Sequence, residues 1–239
     1  FFPPEAALKQ AELIIHEGAD ILDIGGESTR PGSSRVSDEE EIERVVPAIK
    51  AISGKFDFPI SIDTSKSTVA KAAVEAGAEI INDISGLRFD KKIAEVAAIR
   101  KTGLILMHSR GDFETMHSQP PVEDILNEVA DDFRRSIAVA VTYGVEREQI
   151  ALDVGIGFGK TFEQNLELLA KLDKLITEFP EFPILVGTSR KSFIGKILGG
   201  VPPDKRLSGS LASAAIAAWN GAKIVRVHDV KETADTLKI

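Results

Sequence analysis

The sequence predicts an α/β fold built on a parallel sheet and closed as a (β/α) barrel, and three observations carry that expectation. Seven short runs rich in Ile, Leu and Val recur: Asp20–Ile24, Pro59–Asp63, Glu79–Asp83, Gly103–His108, Ile150–Val154, Pro183–Gly187 and Lys223–His228. Each is apolar at successive positions, as a strand buried on both faces reads in a parallel sheet. Amphipathic stretches separate the runs, and strand–helix alternation of this kind requires parallel neighbours. Polar residues gather at the C-terminal ends of the runs: Asp23, Asp63, Asn82, His108, Asp153, Thr188, Arg226 and His228. A closed barrel builds its active site from all these ends, whereas an open sheet recruits mainly its switch point, so the pattern favours the barrel.

The elements follow in order. A helix over Pro3–Glu17 opens the chain, and Ser37-Asp-Glu-Glu40 has the form of a capping box at the start of the next one. Val69–Ala76 and Ile93–Arg100 carry apolar residues at helical spacing, and Leu207–Trp219, rich in Ala and Ser, suits a helix packed closely on the sheet. Gly18, Gly77, Gly103 and Gly221 are each expected to close a helix just before a strand. No linker or change of composition divides the chain, so residues 1–239 read as one barrel domain. A closed eight-stranded barrel needs one strand before Phe1, and the start Phe1-Phe2-Pro3-Pro4, without Met, places that strand upstream.

Composition narrows the function. Apolar residues make up 43% and charged residues 28% of the 239, which implies a packed core. The net charge of −8 argues against a nucleic-acid binder or an anionic-membrane binder, though not against a local basic pocket. The absence of Cys excludes disulfides, thiolate zinc sites and a cysteine nucleophile, and fits a cytoplasmic location. No apolar run reaches the roughly 18 residues of a membrane span.

Several motifs carry polar chemistry. In Asp63-Thr64-Ser65, Thr64 or Ser65 caps the following helix and leaves Asp63 for a ligand, or Asp63 is itself the cap. Gly155-Ile-Gly-Phe-Gly-Lys-Thr161 resembles a nucleotide loop but fails on spacing, since Val154 stands where a Walker A loop needs Gly and Lys160 where a dinucleotide fingerprint does. Its alternate glycines let backbone approach a flat ligand with Phe158 available to stack, or they form a tight turn and nothing more. Gly187-Thr-Ser-Arg-Lys-Ser-Phe193 brings two cations and hydroxyls to a strand–helix junction, and Gly25–Gly32 is a loop carrying Arg30. Arg30, Arg190, Lys191, Arg226 and His228 thus form the expected basic mouth. Of the four histidines, His16 reads as a surface or packing residue, neither His16 nor His117 has metal-ligand spacing with His108, and His228 is favoured for anion contact.

Taken together, Asp23–Gly32, Ser61–Thr64, Ile81–Ile84, Leu106–His108, Asp153–Lys160, Gly187–Ser192 and Val225–His228 resemble the bacterial dihydropteroate synthases, in that family's order and over nearly the whole chain. The resemblance implies a TIM-type (β/α)8 barrel whose first strand is missing from this chain, and a C-terminal helix clipped after Ile239. It implies an enzyme that joins p-aminobenzoate to 6-hydroxymethyl-7,8-dihydropterin pyrophosphate and releases pyrophosphate, assisted by Mg²⁺, as a homodimer. It assigns pterin contacts to Asp63, Asn82, Met107, Asp153, Gly187 and Lys191. Arg226 and His228 would hold pyrophosphate, and Thr29, Arg30, Pro31, Phe158, Lys191 and Ser192 would frame the p-aminobenzoate site, which sulfonamides occupy in this family. No metal ligand is identified within the chain; the family's anion and metal site takes an Asn from upstream of Phe1.

The residue types suit that chemistry. A carboxylate such as Asp153 accepts the adjacent amino and ring N–H groups of a pterin, Asn82 both donates and accepts, and Lys191 donates to a ring carbonyl or nitrogen. Arg30, Arg226 and His228 would stabilise the departing anion. The alternatives are a pterin-binding barrel for methyl transfer from a methyl-folate to a corrinoid, an aldolase-type barrel with Lys191 as Schiff base, and a non-catalytic binding barrel.

Overall fold

A computed structural model describes residues 3–30 and 32–239. Two compact units are defined, Phe1–Met107 with Arg135–Ile150, and His108–Arg134 with Ala151–Ile239. All seven expected strands are present. In the first unit α1 (Pro4–His16), β1 (Leu22–Gly25), α2 (Asp38–Ser53), β2 (Ile60–Asp63), α3 (Ser67–Glu75), β3 (Ile80–Asp83), α4 (Lys92–Arg100) and β4 (Gly103–Met107) alternate, and β1 to β4 lie side by side in parallel. Ile60, Ile62, Ile81, Leu104 and Leu106 are fully buried between the strands and the apolar faces of α2, α3 and α4, represented by Ile49, Val69 and Ile93. Both faces of β2, β3 and β4 are largely buried, which is why Ile and Leu dominate them, whereas β1 is buried only at Leu22.

After α5 (Ile125–Thr142), the second unit carries β5 (Ile150–Asp153), α6 (Phe162–Ala170), α7 (Leu172–Glu178), β6 (Ile184–Val186), α8 (Ser192–Ile197), α9 (Leu207–Trp219), β7 (Ile224–Val225) and α10 (Val230–Leu237). Its strands are again parallel neighbours in chain order, with Asp153 opposite Leu185 and Val186 opposite Val225. Among the described residues no helix is long and apolar enough to cross a membrane.

Three local expectations are corrected. Gly103 does not close α4: Lys101 does, in the left-handed conformation at φ 53°, and Gly103 opens β4, where a Cβ would stand 3.3 Å from Ile80 Cγ1. Gly18, Gly77 and Gly221 do take positive φ. The Ser37 hydroxyl accepts the Glu40 N–H at 3.1 Å, but the Glu40 carboxylate pairs with Arg44, so the box is half made. Reciprocal boxes form instead at Thr161 and Gln164, at the start of α6, and at Glu146 and Gln149, just before β5. Finally, β7 ends at Val225, short of His228. Arg226 N–H still reaches the Val186 carbonyl at 3.1 Å, and then the Ser189 hydroxyl takes the His228 N–H at 3.2 Å and ends the ladder.

Candidate active site

In the first unit the register sets Gly25 opposite Asp63 and Asp63 opposite Asn82, so two polar strand ends are neighbours on one rim. Asp63 is not the cap of α3. Thr64 Oγ1 accepts the Lys66 N–H at 3.3 Å, and Asp90 Oδ2 reaches across to the Ser67 N–H at 2.8 Å. Asn82 is buried, and its Oδ1 accepts no hydrogen bond from the described residues. An unmet buried acceptor costs about 1–3 kcal/mol, which a ligand donor would recover. The adjacent Asp83 differs. It accepts the Ser85 N–H, the Ser85 hydroxyl and the Leu87 N–H at 2.7–2.8 Å, and burial raises its pKa to about 6 against those bonds. Asp83 therefore builds the turn after β3. Met107 is buried at the end of β4, Thr29 is half-buried and Arg30 is exposed in the β1–α2 loop. Pro31 lies outside the described residues.

In the second unit Asp153 ends β5, buried, with its Oδ1 accepting the Gly155 N–H at 2.8 Å. Burial raises its pKa, against the opposing pull of Lys191, the Gly155 N–H, Lys160 and Arg226. Lys191, at the start of α8, donates to the Ile156 carbonyl and stands 4.9 Å over the Phe158 ring. Burial lowers its pKa to about 8, with Asp153 opposing and Arg226 adding repulsion. One carboxylate thus faces three cations, a local positive site on a chain of net charge −8. Arg226 and His228 are exposed while Val225 and Val227 are half-buried, so the two share a face although the strand has ended. His228 Nδ1 lies 3.1 Å from Ser189 Oγ. Gly187 backs this face; a Cβ there would stand 3.6 Å from Arg226 Cβ. Ser192 is exposed at the first turn of α8.

The glycine loop approaches the protein's own atoms. Gly155, Gly157 and Gly159 all have positive φ, and a Cβ on Gly155 would lie 1.9 Å from the His108 carbonyl oxygen. Phe158 stacks at a tilt on His117, centroids 5.4 Å apart, as well as under Lys191. Sequence reasoning missed Lys160. Its ammonium donates to the Gly155, Phe158 and His108 carbonyls at 2.7, 3.1 and 3.4 Å, tying the loop together, and burial lowers its pKa to about 7. The only sequence signal was a lysine directly after the last glycine. Arg190 is also corrected: it is paired with Asp229, through Nε to Oδ2 at 3.0 Å and through Nη2 to Oδ1, and its carbonyl accepts Arg206 Nη1 at 2.8 Å. It braces the junction and is not a cation of the mouth.

A buried carboxylate among cations and an exposed Arg–His pair, in the loops that follow parallel strands, define an α/β protein whose second unit has the donors and acceptors to hold a polar, anionic ligand. The chain belongs to the pterin-binding enzyme family, whose model matches residues 1–228. The dihydropteroate synthase of Synechocystis sp. is 48% identical over 98% of this chain and 80% of its own length. The solved dihydropteroate synthase of Clostridium difficile with pteroic acid superposes with a TM-score of 0.92 at 43% identity, covering 98% of this chain and 86% of that one. The Yersinia pestis enzyme with a sulfonamide drug gives 0.93 at 42%, covering 99% and 84%. The fold class, parallel α/β of the TIM type, is the one expected.

Proposed function

We propose that this chain carries out dihydropteroate synthesis, and the observation that carries the proposal is the Asp153 carboxylate set among Lys191, Lys160 and Arg226 in a chain of this family. The aniline nitrogen of p-aminobenzoate attacks the methylene carbon of 6-hydroxymethyl-7,8-dihydropterin pyrophosphate. A C–N bond forms, the C–O bond breaks with its electron pair leaving on pyrophosphate, and the nitrogen loses one proton. Asp153 accepts the paired N–H groups of the pterin, and Lys191 donates to its ring acceptor. Arg226 and His228 take up the charge that grows on the leaving group, the electrostatic contribution that usually dominates such catalysis. The neutral amine is already nucleophilic, so placement matters more than a strong base. Asp63, Asn82, Met107 and Gly187 are proposed as further pterin contacts. Thr29, Arg30, Pro31, Phe158 and Ser192 are proposed for p-aminobenzoate, with Arg30 also favouring the anion. A cytoplasmic homodimer acting on small molecules, with neither nucleic acid nor membrane as partner, completes the reading.

The described residues offer no site for Mg²⁺ as a resident cofactor. Among the described residues no three His, Cys, Asp or Glu side chains gather, and the carboxylate in the second-unit cluster already faces three cations. Mg²⁺ is therefore proposed as an ion that arrives with the pyrophosphate ester, since this ion keeps several waters and needs few protein ligands.

Incubation with both substrates and Mg²⁺ is expected to yield dihydropteroate and pyrophosphate in equal amounts. Their absence, or turnover of a methyl-folate instead, overturns the proposal. A second expectation follows from Lys191. Its pKa is depressed from 10.5 to about 8, so the ammonium that donates to the pterin is lost as pH rises past 8. The kcat/KM for the pterin substrate should fall through that pH, and Lys191→Met should lower it throughout and flatten that limb. A wild-type profile level from about pH 7 to about pH 9.5 would remove Lys191 from this role.

A further inference from the structure

Lys66 follows the Asp63 rim by three residues, and its ammonium is turned into the first unit. It donates to Glu27 Oε1 at 2.9 Å, Glu41 Oε2 at 2.7 Å and the Val36 carbonyl at 2.7 Å. Glu27 Oε1 also accepts the Val36 N–H at 2.8 Å. Residue 27, where the β1–α2 loop departs, and residue 36, where it returns, are thus held by the same side chains. The cluster is almost dry, with side-chain exposures of 11% for Lys66, 7% for Glu27 and 1% for Glu41. The start of the loop is pressed on α2 as well. A Cβ on Gly26 would stand 2.8 Å from both Glu41 Cγ and Val45 Cγ1, and Arg44 Nη1 donates to the Gly26 carbonyl at 2.7 Å. Burial pulls the Lys66 pKa down, yet Glu41 and Glu27 more than offset it and the net shift is upward, so the lysine stays charged. Removing it leaves two buried carboxylates without their counter-ion, which is strongly unfavourable where the pair is buried.

We propose that Lys66 is a positioning residue: with Glu27 and Glu41 it forms a buried clamp that fixes both ends of the 27–36 loop and thereby sets where Thr29 and Arg30 stand. Its kinetic consequence rests on the p-aminobenzoate role proposed above for that loop; its structural consequence rests on the geometry alone. The clamp speaks to the second substrate, because the loop it holds at Glu27 and Val36 is the one that carries Thr29 and Arg30.

The test uses Lys66→Met, Lys66→Arg and the milder Glu27→Gln, which keeps an oxygen for the Val36 N–H. Lys66→Met and Glu27→Gln should raise the KM for p-aminobenzoate about tenfold and about threefold while leaving that for the pterin substrate within about twofold. Lys66→Arg, retaining the charge, should recover most of the loss. Trypsin supplies a readout independent of catalysis. Arg35 is exposed and Arg30 precedes Pro31, so cleavage after Arg35 reports release of the loop. It should be about tenfold faster in Lys66→Met and intermediate in Glu27→Gln, including when only the latter folds. Unaltered proteolysis in both variants overturns the clamp. Faster proteolysis with an unaltered p-aminobenzoate KM, matched by an unaltered KM in Thr29→Ala, keeps the clamp and overturns the assignment of the loop.

Discussion

Asp153→Asn is expected to lower kcat/KM for the pterin substrate about 100- to 4000-fold with little change in fold. The substitution keeps an oxygen to accept the Gly155 N–H, now at 2.8 Å, so the turn after β5 is retained. What is lost is the negative charge that acts on Lys191, Lys160 and Arg226 together. Removing one member of a buried charged set costs about 3–5 kcal/mol, and 1.4 kcal/mol is a factor of ten. An amide also presents one oxygen and one N–H₂ to a ligand edge that offers two donors, so half the recognition turns repulsive. The measurement is steady-state kinetics against each substrate, with circular dichroism to check the fold. A loss below about fivefold would remove Asp153 from substrate recognition. The same substitution should bring the Lys191 pKa further below about 8, since Asp153 is what opposes burial there. The descending pH limb should therefore shift to lower pH.

The strands were legible because parallel sheets bury both faces, and burial on both faces favours apolar residues such as Ile60 and Ile62, Ile81 and the unbroken run Leu104–Leu106. The rim residues were legible for a related reason. A polar residue ending an apolar run is out of place in a core, so Asp63, Asn82 and Asp153 announced themselves. The interactions that could not be read are those whose partners are distant in sequence or belong to the backbone. Arg190 looked like a free cation because Asp229, which holds it, is 39 residues away. β7 looked longer because the hydroxyl that ends it, on Ser189, belongs to another strand–helix junction. Lys160 satisfies three carbonyls, and carbonyls carry no sequence signal. The Lys66 clamp joins residues 25 and 39 positions apart through charges that each look ordinary alone. Gly103 was misread because a glycine before a strand has two uses, closing a helix or admitting a neighbour's side chain, and only the position of Ile80 decides between them.

Gly155→Ala is expected to be the most damaging single-methyl change in the second unit. Its φ of +65° alone costs an L-residue roughly 1–2 kcal/mol. The added Cβ would lie 1.9 Å from the His108 carbonyl oxygen and 3.0 Å from its carbon, so backbone must move. That backbone is committed, because the His108 N–H is bonded to the Asp153 carbonyl at 2.9 Å and the His108 carbonyl accepts Lys160. Overpacking against atoms that cannot rotate away adds about 1–3 kcal/mol or more. The sum, about 2–5 kcal/mol, corresponds to a fall in Tm on the order of 10 °C for a chain of this size. Gly199→Ala supplies the contrast. It has φ +78° but nothing within 4 Å of its Cβ position, so only the backbone penalty applies and Tm should fall by a few degrees. Gly157→Ala should lie between the two, because its Cβ would meet the Lys191 stem at 3.1 Å, and a flexible side chain can give way. The ordering Gly155, Gly157, Gly199 in a thermal-melt series is the result to look for; equal losses at all three would mean that conformation and not close approach requires glycine at Gly155 and Gly157. Activity separates the cases further. Gly155 donates to Asp153, so its substitution should also weaken pterin binding, whereas Gly199→Ala should leave kcat/KM within about twofold once folded.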